Sequence, residues 1–150
     1  MNLLMLGSGI IRRDGWKTLD ANPRCAPDFL ATIPPLPAEV KAIEWDEIEW
    51  IHGITSLYPW DAENILREIH SILHPRGRLI LEQPDFNHAQ ARAEWLFGDP
   101  AHREPFLMNR WTYTPQSLTD LLVKTGYAKN YILGAQHHVP ARDFRIEAHP

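Results

Sequence analysis

Residues 3–20 read Leu3-Leu4-Met5-Leu6-Gly7-Ser8-Gly9-Ile10-Ile11-Arg12-Arg13-Asp14-Gly15-Trp16-Lys17-Thr18-Leu19-Asp20, and two features of this stretch govern the reading of the rest. A short apolar run breaks into two glycines, and the next strand-like run closes on an aspartate. Glycine has no Cβ, so the turn can take positive φ and press its amides against a ligand. A carboxylate one strand away can accept hydrogen bonds from ribose hydroxyls. Together they describe a nucleotide-type pocket, although a Gly-x-Gly alone serves equally well as an ordinary tight turn.

Outward from this stretch, short apolar runs alternate with helix-patterned segments, the mark of a parallel α/β sheet. Strands are expected at 3–6, 16–20, 27–30, 47–51, 78–83, 128–134 and 142–147. The clearest helix covers 62–73, where Ile65, Leu66, Ile69, Ile72 and Leu73 form one apolar stripe, with Asp61 as N-cap and Pro75 as the stop. A second helix starts at Thr114-Pro115, turns Leu118, Leu121 and Leu122 inward and ends at Gly126. The stretch 86–110 reads as a helix plus a loop lying over the sheet. Only about nine residues separate the first two strands, too few for a full crossover helix, so the helices on that side should be vestigial or missing. No repeat or linker divides the chain, and one domain is expected.

Composition excludes several classes. The 150 residues carry a net charge of −4 with basic residues scattered, which removes the electrostatic footprint of a nucleic-acid binder. No apolar run approaches a membrane span, and no basic region precedes the apolar start as in a signal peptide. Cys25 is the single cysteine, so no internal disulfide is available. A soluble, unprocessed, cytoplasmic protein is expected, with a homodimer left open.

The order of motifs resembles the class I S-adenosylmethionine-dependent methyltransferases, and among them the small predicted members attached to glycan biosynthesis. The resemblance rests on Leu6-Gly7-Ser8-Gly9, Gly15-Trp16 and Leu19-Asp20, then Pro27-Asp28-Phe29-Leu30 with Ile33 and Leu36-Pro37, then Asp46-Glu47-Ile48 through His52. Its most specific stretch runs from Leu66-Arg67-Glu68-Ile69 through Leu73-His74-Pro75-Arg76-Gly77 to Leu79-Ile80-Leu81. Gln83-Pro84-Asp85, the Thr114–Leu118 segment and the ending from Arg142 to Ala148 continue it. It implies a Rossmann-like, mostly parallel seven-stranded sheet with the last strand antiparallel, and a cofactor at the carboxyl edge of the strands.

By that resemblance the cofactor S-adenosylmethionine is held by Leu6, Gly7, Ser8 and Gly9 at its methionine part, by Asp20 at its ribose, and by Ala31, Thr32 and Ile33 beside adenine. His52 and Gly53 complete the pocket. The acceptor is expected to be a small molecule or glycan-type compound. Methyl transfer needs alignment of a nucleophile more than dedicated catalytic groups, and His52, following a strand at the ligand edge, is the candidate base. The same histidine could instead bond backbone and cap its loop. Thr32 stands where many relatives carry an adenine-binding aspartate, and His52-Gly53-Ile54-Thr55-Ser56 lacks the Glu-His that often follows. The chain opens on its first strand, so a covering N-terminal helix is expected to be absent. A degenerate binding or scaffold module is therefore the alternative. A nicotinamide-dinucleotide site fits less well, since a third glycine and a helix after Gly9 are missing.

His88, His102, His137 and His138 have no metal-ligand spacing, and no metal is expected. Trp95, Phe97, Phe106, Trp111 and Tyr113 could line an acceptor pocket or close the core. Arg103 and Arg110 could meet an anionic acceptor or remain solvated, and Glu68 reads as structural.

Overall fold

The computed structural model describes residues 1–150, the side chain of Phe106 excepted. Seven strands form one sheet in the order β3-β2-β1-β4-β5-β7-β6. They are β1 Leu3–Leu6, β2 Trp16–Asp20, β3 Phe29–Leu30, β4 Trp45–Ile51, β5 Leu73–Pro84, β6 Lys129–Gly134 and β7 Asp143–His149. Only β7 runs antiparallel to its neighbours, pairing β5 from Leu79 opposite Ala148 to Pro84 opposite Asp143. The connection from β1 to β2 contains no helix, and that from β2 to β3 only a 310 turn at Pro23–Cys25. The remaining α-helices are α1 Ala38–Lys41, α2 Pro59–Ile72, α3 Phe86–Ala89, α4 Ala93–Phe97 and α5 Pro115–Lys124.

Several boundaries differ from the sequence expectation. α2 starts three residues early: its N-cap is Tyr58, which makes no side-chain cap, and Pro59 occupies the first turn where its fixed φ suits a helix. Asp61 is therefore not the cap but an acid in the first turn, favoured there by the helix dipole. At its other end the helix falls one residue short of the expected 73, before Pro75 can act as the stop. It stops at Ile72, and β5 already pairs at Leu73 with Trp45. The segment from His74 to Gly77 bulges out of β5 before Arg78 regains register with Glu47. Gly77 is required there, because a Cβ would lie 2.9 Å from the Asp46 carbonyl. α5 starts with a reciprocal capping box between Thr114 and Ser117. At its far end Gly126 takes φ +113°.

The two faces of the sheet are built differently. On one, Leu4, Leu6, Ile48, Trp50, Leu79, Leu81, Phe144 and Ile146 join Val40 of α1, Ile65, Leu66 and Ile69 of α2 and Leu118 and Leu122 of α5 in a single apolar cluster. Burying such side chains is the main stabilising term of the fold. The other face alternates apolar and charged residues. There Arg78 bridges Glu47 and Glu147 at 2.8 and 3.1 Å, Arg13 grips Glu49 with two bonds, and Arg145 lies 3.6 Å from buried Glu82. Loops take the place of crossover helices here. The loop carrying Arg13 reaches Glu49, and the backbone N–H groups of Gln136 and His137 both donate to Glu82.

Candidate active site

The carboxyl ends of β1, β2 and β4 open into a cavity of about 860 Å³. That is within the usual range for small-molecule sites. Leu6, Gly7, Ser8, Gly9, Asp20, Ala31, Thr32, Ile33, His52 and Gly53 all line it. Gly7 and Gly9 have φ +60° and +54°, the left-handed region that admits glycine without strain. The Gly7 amide donates to the Leu19 carbonyl at 2.8 Å, extending the β1–β2 pairing into the turn.

Asp20 differs from expectation in one respect. Its carboxylate is not free: Gly9 N donates to Oδ2 at 2.7 Å and Asn22 N to Oδ1 at 2.8 Å. The aspartate thus braces both the glycine turn and the loop after β2, and offers a ligand only its remaining lone pairs.

Three contributors to this cavity escaped the sequence reading. Trp50, nearly fully buried, lines it with an indole N–H that has no acceptor among the described residues. Its ring fills the space beside Gly53, where a Cβ would fall 1.7 Å from Nε1. Ile10, Ile11 and Leu107 stand on the rim with large exposed surfaces, an apolar concentration that isolated surface residues do not produce. Arg13 and Glu49, joined as a bidentate pair, line another part.

His52 sits where β4 ends, in the left-handed region at φ +56°, an uncommon conformation for a residue with a Cβ. Its side chain does not cap the loop. Nε2 donates to Asp143 Oδ2 at 2.6 Å, and the ring packs on His138 with centroids 4.3 Å apart. His138, at φ +39°, shares the unusual backbone. Burial and the neighbouring His52 lower the His138 pKa, against the attraction of Asp143. The first residue of β7 supplies the carboxylate because β7 is antiparallel, so it starts at the edge where the parallel strands finish.

Asp143 has no exposed side-chain surface. Burial alone would push its carboxyl up, but hydrogen bonds from Arg142 and His52 and the charge of both outweigh it and hold the pKa at about 2. A folded-state value below the unfolded one means the group stabilises the fold above the unfolded pKa, and that this contribution disappears as pH falls through about 2. The expected contribution is about 2–3 kcal/mol at neutral pH. Urea midpoints measured from pH 7 down to pH 2 should show this loss setting in below about pH 5. In Asp143→Asn the same part of the curve should be flatter, and an equally steep wild-type and variant profile would refute the assignment.

A second cavity of about 400 Å³ lies against the first, and His52, His138 and Leu107 line both. Of the aromatic residues, Trp95 lines the smaller cavity, with Arg92 and Arg142 over its ring at 4.8 and 6.0 Å. Phe97 and Trp111 are largely exposed and line neither, Tyr113 is buried, and the Phe106 side chain lies outside the described residues. His102 is at the smaller cavity, His88 beside Asp85, and His137 3.8 Å from Glu49. Arg110 lines the larger cavity and donates to the Ser56 carbonyl. Glu68 accepts from Leu36 N at 2.9 Å and pairs with Lys41 at 2.8 Å, a structural part.

The strand order, the single reversed strand and the cavity at the carboxyl edge are those of the class I S-adenosylmethionine-dependent methyltransferases, and the chain has their fold. A methyltransferase of that kind from Archaeoglobus fulgidus superposes with a TM-score of 0.71 at 14% identity, covering 99% of this chain and 86% of the other. A possible histamine N-methyltransferase from Thermotoga maritima gives 0.67 at 17% identity, over 99% and 81%. The glycopeptide N-methyltransferase MtfA, complexed with sinefungin, gives 0.70 at 12%, over 98% and 85%. No protein-family model and no curated protein sequence matches the chain. No helix is long and apolar enough to cross a membrane among the described residues.

Proposed function

We propose that the chain is an S-adenosylmethionine-dependent methyltransferase acting on a small-molecule or glycan-type acceptor. The observation that carries this reading is the larger cavity, in which the glycine turn, Asp20 and the loops after β3 and β4 converge. Solved structures of this fold hold S-adenosylmethionine in MtfA and S-adenosylhomocysteine in DhpI, which supports the same ligand here. The residues present fit it: Gly7 and Gly9 leave the backbone open to close approach, and the unpartnered indole N–H of Trp50 is a donor at the cavity wall. Gly7, Ser8 and Gly9 would face the methionine part, Asp20 the ribose, and Ala31, Thr32 and Ile33 the adenine. When bound, the cofactor supplies an electrophilic methyl group on a sulfonium.

What remains for the protein is alignment, exclusion of water and handling of one proton. The apolar rim of Ile10, Ile11 and Leu107 serves the second, and His52 the third. A glycopeptide is the acceptor named for MtfA and histamine the possible one for the Thermotoga maritima protein, and both names support an acceptor of the small-molecule or glycan-type class.

Titration calorimetry with S-adenosylhomocysteine is the direct test. Saturable binding and an increase of Tm are expected; no heat and no shift at millimolar ligand would refute the proposal. Binding without methyl transfer to any acceptor would favour the degenerate module instead.

A further inference from the structure

Of the residues proposed to hold the methionine part, the ribose and the adenine, none lines the smaller cavity, yet the candidate base His52 lines both. We infer that the smaller cavity is the acceptor site, that it takes an amine carried as its ammonium ion, and that Asp143 is the positioning residue for His52. This rests on the methyltransferase reading above and adds the substrate class and the proton path.

The tautomer of His52 follows from its partner. Asp143, ionised at neutral pH, can only accept, so Nε2 must carry a hydrogen to make the 2.6 Å contact. The Arg142 guanidinium, a donor that would need the Nε2 lone pair, lies farther off at 3.4 Å and already donates to Asp143, so the shorter carboxylate contact sets the tautomer. Neutral His52 therefore has its lone pair on Nδ1, which makes no hydrogen bond to a described residue. A carboxylate that fixes tautomer and ring orientation is the arrangement a general base needs.

The charge around the cavity selects the acceptor. Arg142 is neutralised by Asp143 through two hydrogen bonds. Glu94 and Asp99, both on the cavity wall, have no cationic partner among the described residues. With Arg142 balanced by Asp143, the two carboxylates of Glu94 and Asp99 attract an ammonium ion and repel a carboxylate or phosphate. Trp95, held by Arg92 and Arg142, supplies the apolar side.

The step balances with the sulfonium compound as methyl donor. Nδ1 of His52 takes one N–H proton from the ammonium, giving imidazolium and a neutral amine. The amine lone pair then forms the N–C bond while the C–S bond breaks and sulfur keeps that electron pair. The products are a thioether and an N-methylammonium ion, and the imidazolium returns its proton to water.

The test uses the full chain saturated with S-adenosylhomocysteine and three probes of one skeleton: phenethylamine, 2-phenylethanol and phenylacetate. Binding is read from the imidazole and indole NMR signals of His52, His138 and Trp95. Phenethylamine should bind tightest and phenylacetate weakest. Glu94→Gln combined with Asp99→Asn should weaken phenethylamine about tenfold and leave 2-phenylethanol unchanged; asparagine retains the side-chain oxygen that accepts from Ala101 N. Imidazole 15N shifts should show His52 protonated at Nε2 in the wild type and as a tautomer mixture in Asp143→Asn. Tightest binding of phenylacetate, no effect of the double substitution, or an Nδ1-protonated His52 would overturn the inference. Failure of S-adenosylhomocysteine to bind at all would instead overturn the reading beneath it.

Discussion

Replacing Asp20 by alanine is expected to weaken S-adenosylhomocysteine binding by about 2 kcal/mol, roughly thirtyfold, the size of a lost charged-group hydrogen bond. Two effects contribute. In the proposed pose the ribose loses an acceptor, and the amides of Gly9 and Asn22 lose the oxygens that hold them at 2.7 and 2.8 Å. The second effect loosens the turn that faces the ligand, so part of the affinity is spent re-forming it on binding. Asp20→Asn separates the two. It keeps one acceptor oxygen but turns an NH2 donor toward one of the two amides, which breaks that brace. Asparagine should therefore fall between wild type and alanine in calorimetry. An unchanged affinity in Asp20→Ala removes the residue from the site.

The second large effect is expected at Gly53. Its own backbone is ordinary, with φ −93° and ψ −40°, so the need for glycine is purely steric. An alanine methyl would sit 1.7, 2.3 and 2.6 Å from three atoms of the Trp50 ring, and that ring is nearly fully buried. The indole must move into the apolar cluster or into the larger cavity. Overpacking of this kind costs about 3 kcal/mol, and a ring pushed into the cavity also removes ligand volume. Gly53→Ala should lower the urea midpoint and reduce S-adenosylhomocysteine affinity together. Gly134→Ala, on β6 with nothing within 4 Å of the added methyl, is the control and should be neutral. A Gly53→Ala protein as stable as wild type would show that Trp50 has another place to go.

Much of the architecture was legible because it depends on local pattern. β1 and β2 fall where the apolar runs do, α5 is bounded by its cap and its glycine, and the shortness of the first connection announced the missing helices. Errors cluster where a neighbour in space decides. β5 continues back to Leu73 only because Trp45 pairs with it, and no local signal marks that. α2 starts at Pro59 because proline tolerates the first helical turn, a signal that the acid two residues later obscured.

The site divides in the same way. Residues that follow strand ends, from Gly7 to His52, were accessible because sheet topology brings strand ends together. Trp50 carried no signal beyond its place in the expected strand 47–51, and it is core on one side. Asp143 read as strand, and its 91-residue separation from His52 hid the pair. One signal existed: an antiparallel last strand must begin at the ligand edge, so an acid at its first position is placed beside whatever lies there. Arg13 and Glu49 carried no such signal, being joined only by the course of a loop.

His52 belongs to both hollows at once, and this has a thermodynamic corollary. A single imidazole with one fixed tautomer cannot answer to one occupant without altering what it presents to the other. Whatever free energy the first arrival adds to the affinity for the second is returned in equal measure when the order is reversed. Cooperation between the two proposed ligands would thus run through one ring, with no movement of domains to carry it.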